Sequence, residues 1–118
     1  MTSTGRIPRR GFLYLARVEK SLPVLILSPN VRNALASDVI VIPCTALVST
    51  APTHVRLRKG EGGLKRPSVL KCEQITTLPK GAIRPRAIGR ALSAGRLLEV
   101  ERAVLRAIGV PVPLVTPT

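Results

Sequence analysis

Two apolar runs, Val24-Leu25-Ile26-Leu27 and Val39-Ile40-Val41-Ile42, lie close together in the first half of the chain. Each is too short for a typical helix and rich in β-branched or leucine side chains, so each predicts a buried strand. Between them, Ser28-Pro29-Asn30 is turn chemistry, and Val31 to Ser37 suits a single helical turn. The stretch from Leu22 to Thr45 is therefore expected to organise the fold. Any chemistry is expected where its strands end, near Ser28, Asn33 and Thr45.

The same patterning extends outward. Phe12 to Val18 predicts a first strand, opened by Arg10-Gly11 and joined to the second by the tight polar connection Glu19-Lys20-Ser21. Pro23 can begin that second strand without losing a needed ladder donor. Asp38 to Pro43 is the third strand, Ala46 to Pro52 a loop, and Thr53 to Arg58 alternates as a half-exposed strand showing Arg56 and Arg58. KGEGGLK, Lys59 to Lys65, is a glycine-rich turn whose spacing does not match a phosphate loop. Ser68 to Ile75 reads as one further strand, Pro79-Lys80-Gly81 as a turn, and Ile83 to Ala91 as a short extended piece bearing Arg84, Arg86 and Arg90. Ser93 caps the one clear helix, Ala94 to Ile108, which Gly109 and Pro111 close. Its apolar stripe is Leu97, Val100, Val104 and Ile108, helped by Leu98 and Leu105. Several short strands with one C-terminal helix predict a mainly β protein, a small antiparallel barrel or half-barrel.

Length and charge change the picture more than composition does. With 118 residues and 45% apolar content the chain suits one globular domain. Residues 1–8 are expected to be a disordered basic arm, 9–110 the domain, and 111–118 an extended proline-rich tail. Lys and Arg number 19 against 6 Asp and Glu, a net charge of +13, which implies an anionic partner such as nucleic acid or an acidic protein. No apolar run approaches the about 20 residues that span a bilayer, so a membrane is not expected. The N-terminus does not read as a signal peptide. Cys44 and Cys72 lack metal-ligand spacing and favour buried thiols in a reducing cytoplasm, with a disulfide between them as the alternative.

Metal and triad chemistry find few donors here. A lone His54 and two separated cysteines make no metal site, and neither a metal nor a cofactor is expected. What the composition does supply is guanidinium groups and hydroxyls. These suit phosphate chemistry, because cations stabilise a phosphorane and RNA brings its own 2′-hydroxyl nucleophile.

The ordered segments RRG-FLYL, PVLILSPNVRN, VIVIPCT, APTHVRL, SVLKCEQITTL and IGRALS, followed by an amphipathic helix, resemble the MazF/PemK family of toxin ribonucleases over about Arg9 to Val110. The resemblance implies an SH3-like barrel, a homodimer, metal-independent cleavage of single-stranded RNA to a cyclic phosphate and a 5′-hydroxyl, and a cognate antitoxin with an acidic tail. It puts Thr45 on the family's catalytic threonine, Asn33 on the asparagine after the SP turn, and Gln74 near the base-binding surface. Leu22 stands where relatives carry an arginine, and the loop before it is shortened to Glu19-Lys20-Ser21. A leucine cannot stabilise phosphorane charge. Lys20 or Arg17, or a cation from Arg56, Arg58 or Arg84, is expected to reach the phosphate in its place, and Arg17, Arg56, Arg58 and Arg84 are also expected to bind the RNA. An RNA or antitoxin binder that does not cut, and a gyrase inhibitor of the related CcdB branch, are the alternatives.

Overall fold

The computed structural model describes residues 7–46 and 50–112. The expected N-terminal arm falls mostly, and the tail beyond Val112 wholly, outside them.

The first hairpin joins β1 (Leu13–Arg17) to β2 (Ser21–Ile26) in antiparallel register, with Leu13 opposite Leu25 and Arg17 opposite Ser21. A short helix α1 (Asn30–Leu35) then leads into the long strand β3 (Asp38–Ala46). After it come β4 (His54–Leu57), β5 (Ser68–Lys71), β6 (Thr76–Pro79), β7 (Ile83–Ala87) and helix α2 (Ala94–Ala107). The ladder runs β4-β5-β3-β2-β1-β7, with β6 also paired to β3, so the hydrogen bonding ends at β4 and β7 rather than closing into a ring. The gap is bridged by packing. A Cβ on Gly63, whose φ is +89°, would lie 2.6 Å from the Ile88 carbonyl oxygen, so the loop after β4 rests directly on the backbone that follows β7.

The predicted strand Ser68 to Ile75 is in fact two elements. It stops at Lys71, turns through a 3₁₀ segment at Cys72–Gln74, and resumes as β6, where the sequence suggested no strand. The cause lies in β3, which is long enough to take two partners along one edge. Its first half pairs with β6, Val39 opposite Leu78, and its last three residues pair with β5, Thr45 opposite Val69. On its other edge, β3 pairs with β2 only as far as Pro43, opposite Val24. Proline has no amide hydrogen for a ladder, and β3 leaves β2 at that point.

This register separates two faces. Leu13, Leu25, Ile42, Cys44, Leu70 and Val55 form one face, covered by Val100 and Ala103 of α2. Tyr14, Val24, Ile26, Val39, Val41 and Ile83 form a second cluster on the opposite face. Removing these apolar side chains from water is the main stabilising term, roughly 1.5–3 kcal/mol for each large one. Ser93 caps α2 as expected, its Oγ accepting from the Arg96 amide at 3.1 Å. Only part of the predicted stripe is buried, because Leu98, Leu105 and Ile108 remain exposed. The two cysteines are free and buried. Desolvation raises the Cys44 thiol to about 11 and the Cys72 thiol to about 12.

Candidate functional site

Thr45 is half-buried near the end of β3. It borders a hollow of about 400 Å³ together with Cys44, Lys65, Arg66, Ser68 and Ile88. Side chains alternate along a strand, so Thr45 belongs to the face of Pro43 and Val41, opposite the helix-covered face of Cys44. On that face the ladder aligns Thr45 with Val69 of β5 and Val69 with Arg56 of β4. Val69 is buried and Arg56 exposed. One transverse row thus carries a hydroxyl and a guanidinium on the same side.

Lys20 is elsewhere. It lines a second hollow of about 380 Å³ with Leu22, Pro43, Gln74 and Thr76, at the mouth of the second cluster. The structure brings Lys20 and Gln74 together, but Thr45 does not line that hollow. Arg56 and Arg58 share a groove of about 370 Å³ with Lys59 and Arg96. Arg17 ends β1, and Arg84 sits on β7, at the sheet edge opposite β4. Arg17, Lys20, Arg56, Arg58 and Arg84 are all exposed, and none forms an ion pair with another described residue.

Asn33 requires a correction. It is 0% exposed, and its side-chain amide is fully engaged. Nδ2 donates to the carbonyls of Pro8 and Ser28 at 3.1 and 3.0 Å, while Oδ1 accepts from the Ser28 hydroxyl. Ser28 Oγ in turn accepts from the Ile40 amide at 2.9 Å. Asn33 therefore fastens the turn between β2 and β3 and has no free group for an RNA base. Lys80 caps the same short helix through the Asn33 carbonyl at 2.8 Å.

His54 is engaged through one nitrogen, its Nε2 lying 3.0 Å from Glu73 Oε2, while its buried Nδ1 has no hydrogen-bond partner among the described residues. Burial acts to raise the Glu73 carboxyl, but hydrogen bonds from its own backbone, His54 and Thr53 outweigh it and hold the group below its ordinary value. Sequence reasoning passed over Lys65 and Arg66, which follow the glycine turn. The loop carrying them is fastened by Glu61, which accepts from the Arg58 amide and from both Nε and Nη2 of Arg96, each at 2.8 Å. Glycines separated by charged residues looked like a plain turn. The Glu61 to Arg96 pairing, 35 residues apart, left no local signal.

Residues 10–108 match the family model described as PemK-like, MazF-like toxin of type II toxin-antitoxin systems. The chain belongs to that family. It is 32% identical over 111 residues to an endoribonuclease MazF of Staphylococcus saprophyticus, covering 86% of this chain and 91% of that one. Among solved structures, the Mycobacterium tuberculosis toxin MazF-mt6 is similar at a TM-score of 0.76 and 30% identity, covering 84% of this chain and 97% of that one. An endoribonuclease solved in complex with its cognate antitoxin from a Mycobacterial species is similar at 0.78 and 27%, covering 90% and 99%. A MazF/PemK toxin with an open, mainly antiparallel sheet and a C-terminal helix is thus the frame for the residues above. None of these relatives supports the gyrase-directed alternative.

Proposed function

We propose that this chain is the endoribonuclease toxin of a type II toxin-antitoxin pair, cutting single-stranded RNA at the face around Thr45 without a metal. In this reading the RNA 2′-hydroxyl attacks the adjacent phosphorus, the P–O5′ bond breaks, and a 2′,3′-cyclic phosphate and a 5′-hydroxyl result. The Thr45 hydroxyl donates to a non-bridging phosphoryl oxygen, which gains negative charge in the transition state. Gln74, beside Lys20 in the neighbouring hollow, meets a base edge, and Arg17, Arg58 and Arg84 track the backbone phosphates. The net charge of +13 fits both RNA and the acidic tail of an antitoxin, which would compete for the same face. A homodimer working in the cytoplasm completes the proposal. Family membership carries this reading, supported by the register that puts Thr45 and the exposed Arg56 on one side of the same row.

The test is to incubate long unstructured RNA with the protein in EDTA and map new 5′-hydroxyl ends. Cuts by the wild type that disappear in Thr45→Ala, with RNA binding kept, are expected. Equal cutting by Thr45→Ala would reject the site. A folded wild type that binds RNA and never cuts would favour the second reading, a binding module, for which Leu22 in the arginine position is the specific argument.

A further inference from the structure

Cleavage by 2′-hydroxyl attack takes the phosphate from one negative charge to two in the phosphorane, and a site that accelerates it needs a cation aimed at those oxygens. Resting on the ribonuclease reading, we propose that Arg56 is that cation, facing the scissile phosphate across the sheet from Thr45.

The register carries the argument. Arg56 pairs with Val69 and Val69 with Thr45, so the three lie in one row and on one face. Strands are about 4.8 Å apart, which puts Arg56 and Thr45 about 10 Å apart at the backbone. A phosphate held by the Thr45 hydroxyl on one side and an extended guanidinium on the other fills that span. Val69 between them is buried and apolar and offers the phosphate no polar group of its own. The Arg56 side chain is exposed and makes no ion pair among the described residues, leaving its fork of donors free for a bidentate contact.

The other cations fit less well. Lys65 and Arg66 reach the hollow beside Thr45 in company with Cys44 and Ser68, which belong to the helix-covered face. Lys20 precedes β2, whose pairing with β3 ends at Pro43, two residues short of Thr45. Alternation from Leu13 puts Arg17 on the helix-covered side of β1, and Arg84 is at the far edge of the sheet. Arg58 shares the Arg56 side of β4 but lies one row beyond it, past the end of the strand.

In the step itself the O2′–P bond forms and the P–O5′ bond breaks. The 2′ proton passes to solvent and the departing 5′ oxygen takes one from it. Arg56 keeps its proton throughout and acts through charge alone.

The deciding experiment is single-turnover cleavage of a short RNA in EDTA by the wild type, Arg56→Ala, Arg56→Lys and Thr45→Ala, with RNA affinity measured in parallel. The expected result is a fall in the cleavage rate at saturating protein of about a hundredfold or more for Arg56→Ala, with partial recovery in Arg56→Lys. Since Arg56 is exposed, thermal unfolding of both variants should match the wild type. Cleavage by Arg56→Ala within threefold of wild type, beside an inactive Thr45→Ala, would overturn the assignment while leaving the ribonuclease reading intact. A loss confined to affinity, restored at saturation, would also overturn it and make Arg56 a backbone-tracking residue. A wild type that cuts no RNA would remove both claims together.

Discussion

Replacing Asn33 by alanine separates a fold-holding amide from an RNA-reading one. The substitution removes the donor to the Pro8 and Ser28 carbonyls and the acceptor of the Ser28 hydroxyl, all within a fully buried site. Each buried group left without a partner costs about 1–3 kcal/mol, and the Ser28 hydroxyl can reorient while the two carbonyls cannot. The lost packing of the amide adds to this, for an expected destabilisation of about 3–5 kcal/mol. Against a typical stability of about 5–15 kcal/mol that is a large share. Thermal or urea unfolding should show it as a melting temperature lower by about 10–20 °C, with the urea slope unchanged. Ser28→Ala, which removes one hydroxyl from the same network, should show the same effect at roughly half the size. An Asn33→Ala protein as stable as the wild type but unable to bind RNA would refute the structural assignment and return Asn33 to the RNA surface.

Three other substitutions probe the loop that bridges the open sheet between β4 and β7. Gly63→Ala should cost about 2–4 kcal/mol, because a left-handed backbone is strained for alanine and its Cβ would press on the Ile88 carbonyl. Gly60→Ala, with φ +95° but open space around the added Cβ, should cost only about 1 kcal/mol; equal losses in denaturant unfolding would contradict the close approach. The Arg96 hydrogen bonds, above all, hold the Glu61 carboxyl below the ordinary carboxylate range. A depressed carboxyl stabilises the fold above its unfolded pKa and loses that contribution as the pH falls through the folded value. The wild type should therefore lose stability as the pH drops below about 5, and Glu61→Gln should flatten part of that fall; identical acid profiles would refute the ion pair's role.

Much of the fold could be read from local periodicity. The runs at 24–27 and 39–42 are strands, and the cap at Ser93 with its 3.6-residue repeat gave α2 nearly to the residue. The break inside SVLKCEQI could not be read, since no turn residue marks it. It exists because β3 offers one edge to two partners, a tertiary fact. Asn33 misled for a related reason: asparagine after a turn looks alike whether its amide faces solvent or three buried partners. Thr45 was visible through family resemblance, whereas its alignment with Arg56 depends on the register of strands separated by a glycine loop. Lys20, adjacent in sequence to the altered arginine position, was the natural local choice. The ladder leaves it off the Thr45 row, because β3 parts from β2 at Pro43.

The most direct test of the central claim lies in the substrate. An RNA cut at a mapped position is compared, in EDTA, with the same oligonucleotide carrying a single 2′-deoxynucleotide on the 5′ side of that bond. Complete loss of cutting at that bond, with binding unchanged and a 2′,3′-cyclic phosphate on the all-ribose product, is the predicted result. Continued cutting of the deoxy-substituted bond would mean that water or a protein nucleophile attacks the phosphorus, contradicting the account of Thr45 and its cationic face.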